Sequence, residues 1–170
     1  MVKKVLQVPV IVGVGEEQFF IEKDIVVSPP SPPVYMVKEI KKWIEVYSTK
    51  VICGKVIFNA YLWKDINYET VEHVHDCTVN GPVYHSTVKI PFGGFVEIKA
   101  CDGEKVEEGD KPELLESCVE GERDEWHDEE CIHGEKVYKK LLEKTVVKLK
   151  FKVTRIQHVP VMVCCDEDDK

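Results

Sequence analysis

The sequence has little arginine and lacks a long apolar run. Its 23 basic residues include only two arginines, Arg123 and Arg155, and 31 acidic residues give a formal net charge of -8. Proteins that read nucleic-acid sequences place arginine on base edges and present a basic face, so we expect no nucleic-acid partner. Because no stretch approaches the roughly 18 to 20 apolar residues of a membrane span, we also expect no membrane partner.

The short motifs of common enzyme classes are missing as well. Gly-x-Ser-x-Gly, His-Glu-x-x-His and the phosphate-binding loop do not occur, and Gly13-Val14-Gly15 leads into two glutamates that would repel a phosphate. We therefore predict no catalytic residues and a protein that is not an enzyme.

The N-terminus superficially resembles a signal peptide. Gln7 and Pro9 interrupt its apolar run, however, and no small-residue cleavage site precedes Glu16. We interpret this segment as a strand, in a protein made in a cytosol without a signal peptide. Its cysteines would begin reduced there.

Alternation of apolar and polar residues with a period of two dominates the chain and predicts a mostly β fold. The run Val147–Val153 alternates apolar residues with lysines, which places one face in a core and the other in water. Residues 55–63 are apolar on both faces and indicate a central strand. The expected architecture is an antiparallel sandwich or curved sheet of about eight to ten strands.

The sequence contains fewer signals for turns and helices than for strands. Two strands are predicted over 84–92 and 96–100, with Gly93-Gly94 as the hairpin turn between them and Asn80-Gly81-Pro82 as another turn. A helix is predicted only over Val137–Lys144, where two helical turns would fit.

Prolines divide the sequence into segments. Pro29-Pro30-Ser31-Pro32-Pro33 predicts a stiff extended link, because proline fixes φ and donates no hydrogen bond. This link, residues 29–33, separates an N-terminal arm or strand over residues 1–28 from a β domain over residues 34–163. A Cys-Cys acidic tail follows over residues 164–170.

The two ends of the chain carry similar apolar runs, Val8-Pro-Val-Ile-Val12 and Val159-Pro-Val-Met-Val163. Proline within a strand is tolerated mainly at sheet edges, so both runs are predicted as extended edge segments. Such segments either pair within their own sheet or exchange with a neighbouring subunit, and the sequence leaves both alternatives open.

Charge is distributed unevenly along the chain. Residues 102–136 hold 15 acidic and 4 basic side chains, which leaves the rest of the molecule positive apart from its acidic tail. This asymmetry suits head-to-tail contact between identical subunits. The alternative is a solvated acidic loop that keeps the protein soluble.

Seven cysteines are an odd number, so they cannot all pair within one monomer. Cys164 and Cys165 are adjacent, with Cα atoms about 3.8 Å apart where a disulfide requires about 5.5 Å, so each is better placed to bond another segment. They could fasten a terminal strand to the next subunit; the alternatives are free thiols or bridges within the monomer. The further candidates for intersubunit disulfides are Cys53, Cys77, Cys101, Cys118 and Cys131, whose spacing forms no Cys-x2-Cys zinc motif.

The segment His73-Val-His-Asp-Cys77 is a candidate metal site. On a strand, His73, His75 and Cys77 would share one face. Either His85, or Cys131 with His133, would complete a set of four ligands for zinc or copper. The alternative is an exposed polar face without a metal, and no other cofactor is predicted.

Three stretches resemble the SPOCS domain, the β-rich module of SipL-type spore-coat morphogenesis proteins in endospore-forming Firmicutes. They are Lys38–Val46, Lys50–Tyr68 with its Gly-Lys-Val strand and closing Ile-Asn-Tyr, and Val83–Ile98 with its Ile-Pro-Phe turn. The resemblance covers residues 8–100 and, more loosely, 134–163. It implies a scaffold that assembles envelope layers and brings no catalytic residues, although the many cysteines depart from the family pattern.

The leading hypothesis is a self-assembling structural subunit of the spore envelope or of a spore-surface filament. It would be made in the mother-cell cytosol, deposited on the spore surface or outside it, and stabilised by strand exchange and intersubunit disulfides. Its partners would be further copies of itself and other spore-coat proteins. The alternatives are a non-covalent morphogenetic adaptor of the coat and a protein that binds zinc or copper or undergoes redox chemistry.

Overall fold

The computed structural model describes residues 2–163, and this part of the chain is built from strands without a helix. No segment of it is therefore a helix able to cross a membrane. The nine strands are β1 (Val2–Val26), β2 (Met36–Ile52), β3 (Lys55–Glu69), β4 (His73–His75), β5 (Thr78–Asn80), β6 (Val83–Glu97), β7 (Lys99–Ala100), β8 (Lys111–Ile132) and β9 (Glu135–Val163).

The strands form two antiparallel sheets and a small hairpin. Sheet A has the order β7-β1-β9-β8, sheet B has the order β2-β3-β6, and β4 pairs with β5. The sheets lie face to face, with β2 against β8 and β6 against β1. The predicted antiparallel β sandwich is confirmed.

The core follows the predicted alternation. In β3, the central strand of sheet B, Phe58, Leu62 and Ile66 are buried on the inner face. Across the sandwich, Leu149 and Phe151 of β9 pack in one core cluster with Phe58. Leu141 and Val147 of β9 pack in a second cluster with Leu62 and Ile66. The lysines that alternate with these apolar residues remain partly exposed. The sheets thus bury one face each, as their period of two requires.

The predicted helix over Val137–Lys144 is wrong, because these residues belong to β9. Val137 and Leu141 are fully buried on the inner face of sheet A. The intervening lysines reach acidic residues of β8, as in the 2.8 Å contact between Lys139 and Glu130. A period of two therefore continues through the segment, and cross-strand pairing satisfies the charges that suggested a helix surface.

The predicted hairpin turn at Gly93-Gly94 is also wrong. Both glycines lie inside β6, which continues to Glu97 and pairs with β3 over its whole length, and β7 is a separate short strand. A Cβ on Gly94 would lie 2.7 Å from the Phe19 ring. The glycine therefore makes room for an aromatic ring between the sheets.

The proline-rich segment departs from the predicted extended link. Residues 28–31 form a turn in which the amide of Ser31 donates a 3.2 Å hydrogen bond to the carbonyl of Val27. The carbonyl of Pro32 accepts a 2.9 Å hydrogen bond from the buried Tyr68. The segment is thereby held against the core. At the predicted turn of residues 80–82, Gly81 and Pro82 connect β5 to β6.

A cluster of charged side chains lies between the sheets. Lys64 of β3 is fully buried and contacts Glu143 of β9 and, at 2.5 Å, Asp124 of β8. Lys42 of β2 lies 2.6 Å from Glu143 and 2.5 Å from Glu122. A buried charge is tolerated only when it is paired, and here each lysine meets at least two carboxylates.

Burial alone would raise the pKa of Glu143, but hydrogen bonds from Lys42, Lys64 and Thr145 outweigh it and lower the pKa to about 2. Burial raises the pKa of Asp124. The carboxylate of Glu143 is therefore the anion that the two lysines hold in place.

Gly15 marks a close approach between the two sheets. A Cβ added there would lie 2.0 Å from the carbonyl oxygen of Glu97, whereas one added to Gly121 would meet no atom within 4 Å. We expect Gly15→Ala to lower the free energy of unfolding by about 1 to 3 kcal/mol. Gly121→Ala should leave it unchanged or slightly raise it. Urea unfolding curves measure both, and equal stability of the two variants would contradict the contact.

The ion cluster predicts a particular pH dependence of stability. Because the folded-state pKa of Glu143 lies below its ordinary value of 4.5, its contribution is complete above about pH 4.5 and is lost as the pH falls toward about 2. The raised pKa of Asp124 has the opposite sign and offsets part of this loss. We expect Glu143→Gln to cost about 3 kcal/mol at pH 7 and to flatten the stability profile in this window.

Denaturant unfolding at a series of pH values measures the effect. The matched control is Glu129→Gln, because Glu129 makes a 3.1 Å pair with Lys136 in which both side chains are mostly exposed. It should change stability by less than about 1 kcal/mol. A Glu143→Gln variant with the wild-type pH profile would contradict the role of Glu143.

Candidate functional site

The two ends of the described chain pair with each other and form a ribbon. Residues Val2–Ile11 of β1 pair with Thr154–Val163 of β9 in an unbroken antiparallel ladder. Sheet A ends below it, since β8 pairs with β9 only up to Thr154 and β7 pairs only with Gly13 and Val14. We call this two-stranded element the terminal ribbon. The sequence left open whether the terminal segments pair within their own sheet or with a neighbouring subunit. In the structure they pair with each other within one chain.

The terminal ribbon has an uncovered apolar face. By strand parity, the side chains that point away from sheet B are those of Pro9, Pro160 and every second residue from them along each strand. Among them Val5 is 62% exposed, Ile156 53% and Met162 64%. We call this surface the outer ribbon face; its apolar members are Val5, Pro9, Ile11, Ile156, Pro160 and Met162.

Both edges of the terminal ribbon carry a proline. Pro9 pairs with Ile156, and Pro160 pairs with Val5, so the two prolines occupy equivalent ladder positions on opposite strands. A proline fits such a ladder only where its nitrogen points away from the partner strand, which is the free edge. An added strand would lose a hydrogen bond at each of these positions. The edges are thus blunted, while the faces remain open.

The opposite edge of sheet A is acidic. Strand β8 carries nine acidic and two basic residues, and it contains two β-bulges. Six lysines of β9 meet these acids at N–O distances of 2.8 to 3.6 Å. Hydrogen bonds from Lys152 and Lys148 lower the pKa of Glu113 and Glu116. The predicted acidic loop is largely an edge strand, and most of its charge is compensated within the sheet.

Four of the described cysteines lie near turns at the two ends of the sandwich. Cys53 in the β2–β3 turn and Cys101 after β7 lie at the end from which the terminal ribbon extends. Cys77 in the β4–β5 turn and Cys131 beside the β8–β9 turn lie at the other end. These four are exposed, and none of the five described cysteines forms a disulfide. Cys164 and Cys165 follow the ribbon in sequence and lie outside the described residues.

Cys118 differs from the others. It lies within β8 and is half-buried, and its sulfur contacts the Glu116 carboxylate at 3.7 Å.

The candidate metal ligands are not brought together. Strand β4 ends at His75, and Asp76 turns the chain with a φ of 55°, so Cys77 does not share the strand face of the two histidines. His85 lies 3.5 Å from Asp65. Cys131 and His133 belong to the β8–β9 hairpin. Within residues 2–163 no group of three or more ligating side chains is placed to hold a metal ion.

Sequence reasoning missed an aromatic surface on the outer face of sheet B. Trp43 and Trp63 stack with ring centroids 5.8 Å apart, and Tyr47 and Tyr61 stack at 4.5 Å. The ammonium of Lys89 lies 3.7 Å from the Tyr61 ring centroid and 4.9 Å from that of Trp63. Trp43 is 43% exposed and Tyr47 52%. We call these four rings the aromatic ladder.

These features define a two-sheet antiparallel β sandwich that leaves apolar faces open to solvent. A comparison with protein families gives a match to part of the chain. Residues 33–116 match the family model described as SipL, SPOCS domain. This match supports the resemblance to the SPOCS domain over that part of the chain and indicates a sporulation-related role. No curated protein matches the chain significantly, and no solved structure does.

The positions of the described cysteines predict an order of thiol reactivity. In the folded, reduced protein we expect iodoacetamide to label Cys53, Cys77, Cys101 and Cys131 faster than the half-buried Cys118. Peptide mass spectrometry over a time course measures the rates, and labelling in denaturant serves as the control in which the differences disappear. Equal rates at Cys118 and Cys53 in the folded protein would contradict the described placement.

Proposed function

We propose that the protein is a structural, non-catalytic subunit that assembles with further copies of itself in the spore envelope or in a spore-surface filament. The observation that carries the proposal is the terminal ribbon, which is two strands wide and exposes apolar side chains. An isolated two-stranded ribbon is marginally stable in water. Contact with a neighbouring subunit would stabilise it, and repetition of that contact would build a polymer.

The cysteines suit covalent closure of such a polymer. In a head-to-tail arrangement, the end with Cys53 and Cys101 would meet the end of the next subunit with Cys77 and Cys131. Cys164 and Cys165, which follow the ribbon in sequence, would add further bonds. The protein would be made in the reducing mother-cell cytosol, and the bonds would form after lysis exposes the assembled spore surface to oxidising conditions.

The second candidate is a non-covalent adaptor that recruits other coat proteins. The aromatic ladder favours it, because exposed Trp and Tyr are enriched at the centres of protein interfaces. An adaptor of this kind would be a soluble monomer or dimer in which all seven thiols react with an alkylating reagent.

Protein purified with and without reductant distinguishes the two candidates. We expect a ladder or a retained polymer on a denaturing gel without reductant, a 19.5 kDa band with reductant, and filaments or sheets in electron micrographs. Replacement of both Cys164 and Cys165 by serine should weaken the series of disulfide-linked bands on the gel. Cys118→Ser is the matched control and should preserve it, because Cys118 lies within a strand, away from the turns.

Two results would contradict the proposal at different levels. A single 19.5 kDa band under both conditions would reject covalent cross-linking. Dispersed single particles in micrographs, together with a monomeric mass in solution, would reject self-assembly.

A further inference from the structure

Both sheets of the described chain leave apolar side chains uncovered, and two of these surfaces lie on different sheets. The outer ribbon face extends sheet A beyond the end of the sandwich, and the aromatic ladder occupies the outer face of sheet B. The ladder is followed on the same face by Ile57, 40% exposed, and Phe95, 50% exposed. Large exposed apolar patches of this kind mark interaction sites in soluble proteins.

The two surfaces are chemically matched. The outer ribbon face offers Pro9, Pro160 and aliphatic side chains, whereas the ladder offers the faces and edges of four aromatic rings. Proline and aliphatic groups pack well on aromatic rings, as in the recognition of proline-containing segments by aromatic-lined surfaces. At the rim of the ladder, Glu45 accepts a 2.7 Å hydrogen bond from Trp63 and keeps its carboxylate at the surface.

Charge disfavours contact between two ribbons. The twenty residues of the terminal ribbon contain Lys3, Lys4 and Arg155 and no acidic residue. Two ribbons packed on each other would bring like charges together at their tips, where Lys3 and Lys4 lie. The ladder carries charges of both signs, because Glu45 lies beside its rings and the ammonium of Lys89 lies over Tyr61 and Trp63. A ribbon docked on the ladder therefore meets less positive charge than a second ribbon would present.

We propose that the outer ribbon face of one subunit docks on the aromatic ladder of a second copy of the chain. This inference rests on the proposed self-assembly and names its contact surfaces. The two surfaces differ, so the contact is heterologous. Each subunit binds one neighbour through its ribbon and a second neighbour through its ladder. A heterologous contact that does not close into a ring produces a linear filament.

The size of the contact explains the need for covalent bonds. Ten residues of strand span about 33 Å and two strands about 10 Å, so the docked face would bury roughly 700 Å² in total from both partners. Stable interfaces bury about 1,200 to 2,000 Å². A single docked ribbon is therefore a weak contact, and disulfides make the polymer permanent.

The test uses two complementary variants in reductant, so that only the non-covalent contact is measured. The ribbon variant carries Val5→Lys and Ile156→Lys, and the ladder variant carries Trp43→Lys and Tyr47→Lys. The control carries Phe20→Lys and Val26→Lys, two exposed apolar positions, 65% and 53% accessible, on neither surface. Circular dichroism confirms that each variant is folded.

Sedimentation velocity is measured at the concentration where the wild-type protein assembles. We expect each double variant alone to assemble at least about tenfold more weakly than the wild type, as for the loss of two interface anchors. The control should assemble normally. An equimolar mixture of the two variants should form heterodimers, because one retains a ribbon and the other retains a ladder.

The alternatives give different outcomes. Ribbon-to-ribbon packing would leave the ladder variant fully able to assemble, and ladder contact with an unrelated partner would leave the mixture monomeric; either result overturns the inference. In both cases, assembly of the wild-type protein in the same experiment would mean that the proposed self-assembly stands and only the inferred contact surfaces are rejected. If the wild-type protein remains monomeric at every concentration, the proposed function fails and the inference fails with it.

Discussion

Pairing between the first and last strands is the constraint on which the rest of the structure depends. Val2 is opposite Val163, and the pairing of β1 with β9 continues to Val26 opposite Lys140. Strand β9 is the last in the sequence and lies between β1 and β8. Sheet A therefore cannot form until β9 has paired with both of them. Contacts of such sequence separation form slowly, since a long loop must close before they contribute. The same pairing brings both ends of the described chain to one end of the sandwich, where they extend beyond the two sheets as the terminal ribbon.

The buried ion cluster complements this arrangement. Lys42 and Lys64 come from sheet B, whereas Asp124 and Glu143 come from sheet A. A hydrophobic interface tolerates small shifts between two sheets, but a buried lysine without its carboxylates would be costly. A shift of one residue would also turn every side chain of a strand to the other face. The cluster therefore disfavours alternative alignments of the two sheets.

The sequence predicts those features that repeat locally. Alternation in Val147–Val153 identified β9, and the apolar run over residues 55–63 identified the central strand β3. The helix at Val137–Lys144 was wrong because its lysines are paired across strands, which the local pattern does not reveal. The aromatic ladder stayed hidden for a similar reason: Trp43 and Trp63 are twenty positions apart and meet only through the β2–β3 register. Likewise, only the fold shows that Cys77 leaves the strand face of its neighbouring histidines.

The contrast between protected edges and open faces would give the proposed assembly a direction. The edge of β8 is protected by charge and bulges, and Pro9 and Pro160 protect the edges of the terminal ribbon. Unrestricted edge-to-edge growth, the usual hazard of exposed strands, is thereby disfavoured. The apolar faces have no such protection, so they are the surfaces through which contacts can form. The outer ribbon face and the aromatic ladder differ, so a contact between them joins the ribbon of one subunit to the ladder of another. A series of such contacts has a polarity that contacts between two identical faces could not produce.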